Sequence, residues 1–428
     1  MTGREPQHGD LPSQSAPPPS GHEGLPEHSC EVLIVGGGPC GLLLAALLAQ
    51  RGVDVVVLER RLEPSAHSRA IGLHPPAVNA LGAVGLAGRA VAEGAPIAGG
   101  QARSRGRLLG SLTFERAWPQ RPYVLALPQS RTETLLAERL AALAPAALHR
   151  GVEVVGLDAD GGDISVTARP AAGSCPDGDA GPLRWRARLV IGADGSRSRV
   201  RDLAGIRTAL TTYPDTYLMG DVADSGTRRG ARIHLEPGGV IEAFPLPGAM
   251  RRWVAHTGTA RLGTGRFGKS RSARAPEELA AIVRRRTGER IDPATNTMIS
   301  AFGVRRRTAE RMVDGRVVLI GDAAHEVSPI GGQGMTLGWL DALALAPLLE
   351  DAVQQDLRCP LHLLPRFRRF EREQLCLARG AGRLAHVNMA LGRPLPVPLV
   401  VLRDAALRAV LATPMRHGLA RAYSMAWA

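Results

Sequence analysis

Between Glu31 and Glu59 the hydrophobic pattern changes character three times. Val32 to Val35 form an unbroken apolar run, too short for a helix and of the kind that makes a strand buried on both faces. Gly36, Gly38 and Gly41 interrupt it, Leu42 to Leu48 continue as an apolar helix, and Asp54 to Leu58 give a second strand that ends in Glu59. Strand, glycine turn, helix, strand and acid predict a dinucleotide-binding unit. Gly36 permits the tight turn, Gly38 lets backbone approach a pyrophosphate, and Gly41 lets the helix pack on the strands. Pro39 and Cys40 complete the turn, where free N–H groups at the helix start face phosphates. Glu59 follows Gly36 by 23 residues, close to the ~20-residue offset at which an acid reaches a ribose hydroxyl. The unit alone leaves NAD and FAD both open.

Beyond it, the pattern predicts a loop and helix from Arg60 to Ala90, and a longer helix from Gln129 to Leu143 with apolar positions at Leu135, Leu136, Leu140 and Leu143. The Gly- and Arg-rich stretch from Gly100 to Leu127 reads as irregular. Val152 to Leu157, Ile164 to Ala168 and Arg188 to Ile191 read as strands. From Thr216 to Gly258, short alternating segments broken by Pro237-Gly238-Gly239 and by Pro245 to Gly248 predict an inserted antiparallel sheet of about three or four strands. A helix from Pro276 to Thr287 and a strand from Thr297 to Val304 follow, and Arg316 to Ile320 return to the buried parallel type. Gly332 to Glu350 and Pro365 to Met389 read as helices, and Leu395 to Tyr423 is partly helical in spacing.

Composition narrows the class. With 428 residues, 44% hydrophobic and 22% charged, the chain suits a globular protein of two or three domains or one two-lobed enzyme. No apolar run approaches the ~18 residues of a membrane span, and the start does not resemble a signal peptide, so a cytoplasmic location is expected. Residues 1–29, rich in Pro, Gly, Ser and His, are expected to be a disordered tail. Five cysteines without a C-x-x-C pair point to reduced thiols and to neither zinc nor dithiol chemistry. A net charge of +13 raises a nucleic-acid partner. However, 52 of the 53 basic residues are arginine, spread along the chain, and aromatics are only 4%. A small-molecule partner and no nucleic acid are therefore expected.

Two further motifs end apolar strands. Asp194 and Gly195 make a turn followed by Arg197 and Arg201. Gly321 and Asp322 place a carboxylate at a strand tip, where it can accept a hydrogen bond from a ribityl hydroxyl. Pro329, Gly331, Gly332, Gln333 and Gly334 then lead into a helix whose N–H groups can stabilise a flavin's negative charge. In this order, over about Cys30 to Leu349, the three motifs resemble the FAD-dependent aromatic hydroxylases, the single-component flavoprotein monooxygenases of the para-hydroxybenzoate hydroxylase type. The segment from Ser68 to His74 with Arg69, and Gln129 with Arg131 at a helix start, are similar to further parts of that family.

The resemblance implies an α/β fold: an FAD-binding Rossmann-type domain like that of glutathione reductase, an inserted antiparallel substrate domain, and carboxy-terminal helices. Residues 30–103, 128–207 and 303–352 would form the FAD domain, 104–127 and 208–302 the substrate domain, and 353–428 the helical region. It implies FAD along its whole length: Glu59, with Arg60 beside it, at the adenosine ribose, Asp194 and Gly195 in the middle, Asp322 on the ribityl chain, and Pro329 to Thr336 beside the isoalloxazine. The family usually carries Asn two residues after the last glycine; here Met335 and Thr336 follow, with Thr336 expected to cap the helix. NADPH or NADH is implied as a transient co-substrate, and O2 adds at flavin C4a to give a hydroperoxide that transfers one oxygen.

No catalytic base is identified; His234 and His256, on strands of the inserted sheet, are candidates. Leu218, Met219, Ile233, Ile241 and Phe244 suggest an apolar cavity for a bulky electron-rich substrate such as an aromatic polyketide, phenol or quinone precursor. Alkene epoxidation, isoprenoid reduction and a non-enzymatic basic binding module are the alternatives; the family's halogenase Trp pattern is absent. The segment Leu395 to Tyr423, with Arg403, Arg408, Arg416 and Arg421, could touch a membrane surface, pack on the FAD domain or join a homodimer.

Overall fold

The computed structural model describes residues 27–64, 70–160, 162–173, 181–224, 230–259, 274–355 and 359–428. Arg69 lies outside them, as does nearly all of the tail expected to be disordered. The first strand starts earlier than the apolar run, at Glu27, because residues 27–30 pair with Arg184 to Ala187.

Two eight-stranded sheets carry the fold. In the first, parallel strands run in the order Val317–Leu319, Leu183–Gly192, Glu27–Val35, Val55–Glu59 and Leu148–Arg150. The strand Val313–Asp314 and the hairpin formed by Val152–Asp160 and Asp163–Pro170 add antiparallel partners. Because the central strands are parallel, the glycine turn after Val35, Glu59, the Asp194 turn after Gly192 and the Gly321 turn after Leu319 all emerge at one edge. That carboxyl edge is where open α/β sheets bind ligands. Helix Pro39–Ala49 has no polar face, and Leu42, Leu43, Leu44, Leu47 and Leu48 are all buried between the sheet and helices Gln129–Leu143 and Gly334–Gln354. An all-apolar helix requires such cover on every side.

The second sheet is larger than the pattern predicts. Its order is His325–Glu326, Met298–Ala309, Thr208–Ala223, Met250–Thr259, Gly239–Leu246, Ala231–Glu236, Gly99–Ser104 and Arg107–Thr113, antiparallel except between Ala231–Glu236 and Gly99–Ser104. Much of the stretch expected to be irregular is thus a hairpin. Its glycines fit close approaches, since a Cβ at Gly99 would lie 2.3 Å from the Leu112 carbonyl oxygen. Its two-residue turn has φ of 48° at Arg105 and 73° at Gly106, the twist-matched hairpin geometry.

Strand alternation divides the sheet's two faces. Leu218, Ile241, Ala243, Trp253 and Ala255 lie under helix Ala275–Thr287, against Leu279, Ile282 and Val283. Tyr217, Met219, Val240, Val254 and Phe302 form the other, inner face with Ile330, Met389 and Leu411. Of the five residues expected to line one cavity, Leu218 and Ile241 therefore point away from it, because neighbours along a strand face opposite sides. Met219 and Ile233 are on the inner face, and Phe244 packs in a separate cluster with Ile71 and Ile97.

Helices Pro365–Gly392, Val397–Ala412 and Met415–Tyr423 close the inner face. Leu411 sits so close to Gly110 that a Cβ there would approach its own to 2.6 Å. Helix Val397–Ala412 buries Val400, Arg403, Asp404 and Leu411 and exposes Val397, Leu399 and Leu402. Among the described residues no helix is long and apolar enough to cross a membrane.

Candidate functional site

At the carboxyl edge the first turn is built by contacts that exclude side chains. Gly36 has φ of 114°, and a Cβ there would lie 2.4 Å from the Ala193 carbonyl oxygen. A Cβ at Gly41 would lie 2.0 Å from the Gly36 oxygen, whereas at Gly38 it would meet nothing within 4 Å. Gly38 therefore borders open space at the start of helix Pro39–Ala49, where backbone N–H groups are free to meet an anion. The Gly37 N–H donates to Glu59 Oε2 at 2.7 Å, and the Arg61 N–H and Nε both donate to Oε1 at 2.9 Å. Burial opposes ionisation of Glu59, but Arg61 and the Gly37 N–H outweigh it and hold the carboxyl below its usual range. Arg61, which the motif reading missed, is the residue that engages the acid; Arg60 is exposed. Cys40 is wedged against Gly321 and Gly338, and burial pushes its thiol far up, which makes it a packing residue and not a nucleophile.

Asp194 accepts from the Arg199 and Val200 N–H groups at 2.6 and 3.1 Å, and burial keeps its carboxyl above the usual range despite these donors. Ser198 caps the short helix Arg199–Leu203, and the buried Arg201 donates to the Ala323 carbonyl at 3.2 Å. Arg201 thus ties the second motif to the third, while Arg197 is exposed. Gly195 has φ of 81°.

Gly321, with φ of 59°, donates its N–H to Asp341 Oδ2 at 2.8 Å, and His325 Nε2 lies 2.7 Å from the same oxygen. Burial opposes protonation of His325, the Asp341 carboxylate overrides it, and the imidazole is held above its usual range. His325 therefore supports the loop, and Asp341, hidden in an apolar helix pattern, is its unforeseen anchor. Asp322 has solvent access and makes no hydrogen bond or ion pair with the described residues. The protein mass around it, then Glu326, pushes its carboxyl up to about 6, against the effect of His325.

The loop from Pro329 turns through Gly331 and Gly332, with φ of 103° and 67°, and the Gln333 side chain donates to the Ala422 carbonyl at 3.0 Å. Helix Gly334–Gln354 starts there without a side-chain cap. Thr336 lies inside its first turn, fully buried with Oγ1 unpaired, so the expected cap is not made. Trp339 Nε1 donates to the Pro39 carbonyl at 3.0 Å and joins this helix to the first turn. His74 is buried beside Gly332, and burial draws it down to about 4, so it is neutral at pH 7. Gln129 and Arg131 begin helix Gln129–Leu143; Arg131 forks onto Glu93 at 2.5 and 2.9 Å, and Gln129 donates to Glu133 at 2.8 Å.

With this geometry in place, residues 29–356 match the model of a family described as FAD binding domain. The chain belongs to that family. Over 330 residues it is 35% identical to 6-methylpretetramide 4-monooxygenase of Streptomyces rimosus, covering 76% of this chain and 56% of the relative. It is 34% identical to rifampicin monooxygenase of Streptomyces venezuelae, covering 74% and 63%. The chain thus spans about three fifths of the length of these curated relatives. Among solved structures, an anhydrotetracycline hydroxylase from Streptomyces rimosus matches with TM-score 0.72 and 28% identity over 93% of this chain and 76% of the other. A p-nitrophenol 4-monooxygenase from Pseudomonas putida matches in fold with TM-score 0.79 at 22% identity, over 92% of this chain and 99% of that one.

The residues present fit the cofactor that the family's domain binds. Open space borders Gly38, Asp322 is an accessible acid without a partner among the described residues, and both lie at the carboxyl edge. The two histidines considered as bases in this FAD-binding chain are occupied elsewhere. His256 is fully buried, 3.2 Å from Asp215, which also accepts from Arg393 at 2.7 Å. Burial holds His256 below its usual range, with Asp215 opposing. His234 is buried, 3.6 Å from Glu289. Strand burial gives both histidines acidic neighbours in place of an open cleft.

Proposed function

We propose that this chain is an FAD-dependent monooxygenase that consumes NADPH or NADH and places one oxygen atom from O2 on a bulky, apolar, electron-rich substrate such as an aromatic polyketide, phenol or quinone precursor. The observation that carries this reading is convergence: three motifs emerge at one sheet edge, and Ile330, between Pro329 and Gly331, packs into the apolar inner face of the antiparallel sheet. Cofactor loop and substrate wall are therefore contiguous. The names of the relatives, monooxygenases and hydroxylases of tetracycline-type and rifampicin-type compounds, support the same class.

Gly36 to Gly41 and Glu59 would hold the ADP portion of FAD, Asp194 and Gly195 its centre, Asp322 the ribityl chain, and backbone from Pro329 to Thr336 the ring. When bound, FAD supplies hydride acceptance and the activation of O2. The chain supplies position and dryness. The Glu59–Arg61 pair fixes the acid, Asp341 fixes the Gly321 turn, and the carboxy-terminal helices cover the inner face against water. The test is NAD(P)H oxidation and O2 uptake screened against aromatic, quinone and polyene compounds, with product mass read for a gain of one oxygen. A purified protein without flavin colour, or turnover that proceeds only without O2, overturns the proposal.

A further inference from the structure

The inner face of the antiparallel sheet contains a carboxylate that no described residue neutralises. Along strand Gly239–Leu246, Ile241 and Ala243 go beneath helix Ala275–Thr287, so Val240 and Glu242 stand on the inner face. Register places Glu242 between Ile233 and Val254, and the same cross-strand row continues to Met219 on one side and Ala102 on the other. These apolar neighbours share a cluster with Ile330 of the cofactor loop, Met389 and Leu411. Glu242 is half-buried and has no hydrogen bond or ion pair with the described residues.

The groups around it do not compensate its charge. Arg252, along the same face, is committed to Asp221 at 2.7 and 2.8 Å. His256 and Arg393, on the other side, are committed to Asp215. The phenols of Tyr217 and Tyr423 feel its charge, each raised by burial and further by Glu242, Tyr423 to about 12. Tyr423 donates to Asn388 at 2.7 Å, and the Tyr217 hydroxyl is buried without a partner. A lone carboxylate in an apolar wall disfavours a carboxylated ligand and favours a neutral one that brings a hydroxyl donor.

We infer that Glu242 accepts the hydroxyl of an uncharged phenolic polycyclic substrate and takes its proton, a role that rests on the monooxygenase reading above. The O–H bond breaks, its electron pair stays on the ring oxygen and enriches the ring at its ortho and para carbons, and the proton moves to a Glu242 oxygen. The nicotinamide and O2 named above supply the redox balance, and the proton returns to the product's oxygen. Burial pushes Glu242 up to about 7, a value suited to a base working near neutrality.

The test titrates the FAD-loaded protein with a dihydroxyanthraquinone and with its dimethyl ether, following the flavin spectrum for binding and the quinone band for phenol ionisation. In the wild type the phenol binds about tenfold tighter than the ether, and its ionised band grows as pH rises through about 7. Glu242→Gln brings the two affinities within about twofold and abolishes the ionised band, and Glu242→Asp restores part of both. Unchanged FAD content in both variants shows that the fold is kept. Equal binding of phenol and ether to the wild type, binding of neither, or a preference and band unaltered in Glu242→Gln, each overturns the inference. Discrimination that depends on Glu242 without any oxygen-dependent turnover upholds the hydroxyl site and brings down the monooxygenase reading alone.

Discussion

At the carboxyl edge of the parallel sheet the groups offered to a ligand are mostly backbone, with Asp322 the exception, whereas on the inner face of the antiparallel sheet they are side chains. The edge is shaped by what glycines leave out: the Gly36 and Gly41 contacts of 2.4 and 2.0 Å admit no Cβ. The inner face is shaped by what side chains occupy: Asp221 and Asp215 absorb Arg252, Arg393 and His256, and leave Glu242 alone. A backbone site serves a cofactor whose phosphates and ribose never vary. A side-chain wall suits a ligand that differs between relatives of one fold.

The comparison breaks most directly at Gly41. Gly41→Ala forces a methyl onto the Gly36 oxygen and is expected to cost roughly 3 kcal/mol and abolish flavin binding; purified protein that keeps its flavin absorbance shows that the turn is more plastic than its contacts. Next comes Asp341→Asn, which leaves His325 without its buried partner, at a cost of about 3–5 kcal/mol. Because His325 is held above its usual range, the pair's contribution is full below the unfolded value of about 6.5 and is lost as pH rises through the folded one. The variant's melting temperature should therefore vary less with pH than the wild type's above about pH 6.5, and equal slopes remove the assignment.

Arg393→Ala tests the other region, with an expected loss of about 2 kcal/mol, discounted because the guanidinium is partly exposed. Burial works against the Asp215 carboxylate, and Arg393 followed by His256 holds it below its usual range. That stability is present above the unfolded value of 3.8 and disappears as pH falls through the folded one. The variant should unfold at a higher pH in acid titration, followed by circular dichroism, and should keep its FAD at neutral pH. Loss of FAD there means that the two regions do not act separately.

The same contrast explains what could be read from the chain. The glycine turn, Glu59 and the Gly321–Asp322 tip are local, because spacing within one strand–turn–helix unit decides where their atoms go. Helix Gln129–Leu143 was likewise legible from its own periodicity. Strands Gly99–Ser104 and Arg107–Thr113 were not, since their composition is that of a loop and their pairing comes from Ala231–Glu236, more than a hundred residues away. Glu242 was equally hidden. On a strand every second residue faces the inner side of the sheet, but which set does so depends on helix Ala275–Thr287 covering the other face.

Two smaller substitutions sharpen where backbone ends and side chain begins. Asp322→Ala removes the accessible acid at the edge and should weaken FAD retention about tenfold, measured by fluorescence of released flavin, with little change in melting temperature; unchanged retention would leave the strand tip as backbone alone. Thr336→Val is the finest probe. Thr336 is fully buried in the first turn of helix Gly334–Gln354, its Oγ1 has no partner, and valine keeps the shape while removing an unsatisfied hydroxyl. If the segment acts through its backbone, stability should change by less than about 0.5 kcal/mol, or rise, and flavin content should stay the same. A measurable loss of FAD from Thr336→Val means that the hydroxyl meets the bound cofactor. The edge then joins the inner face in relying on side chains at the point where the two regions meet.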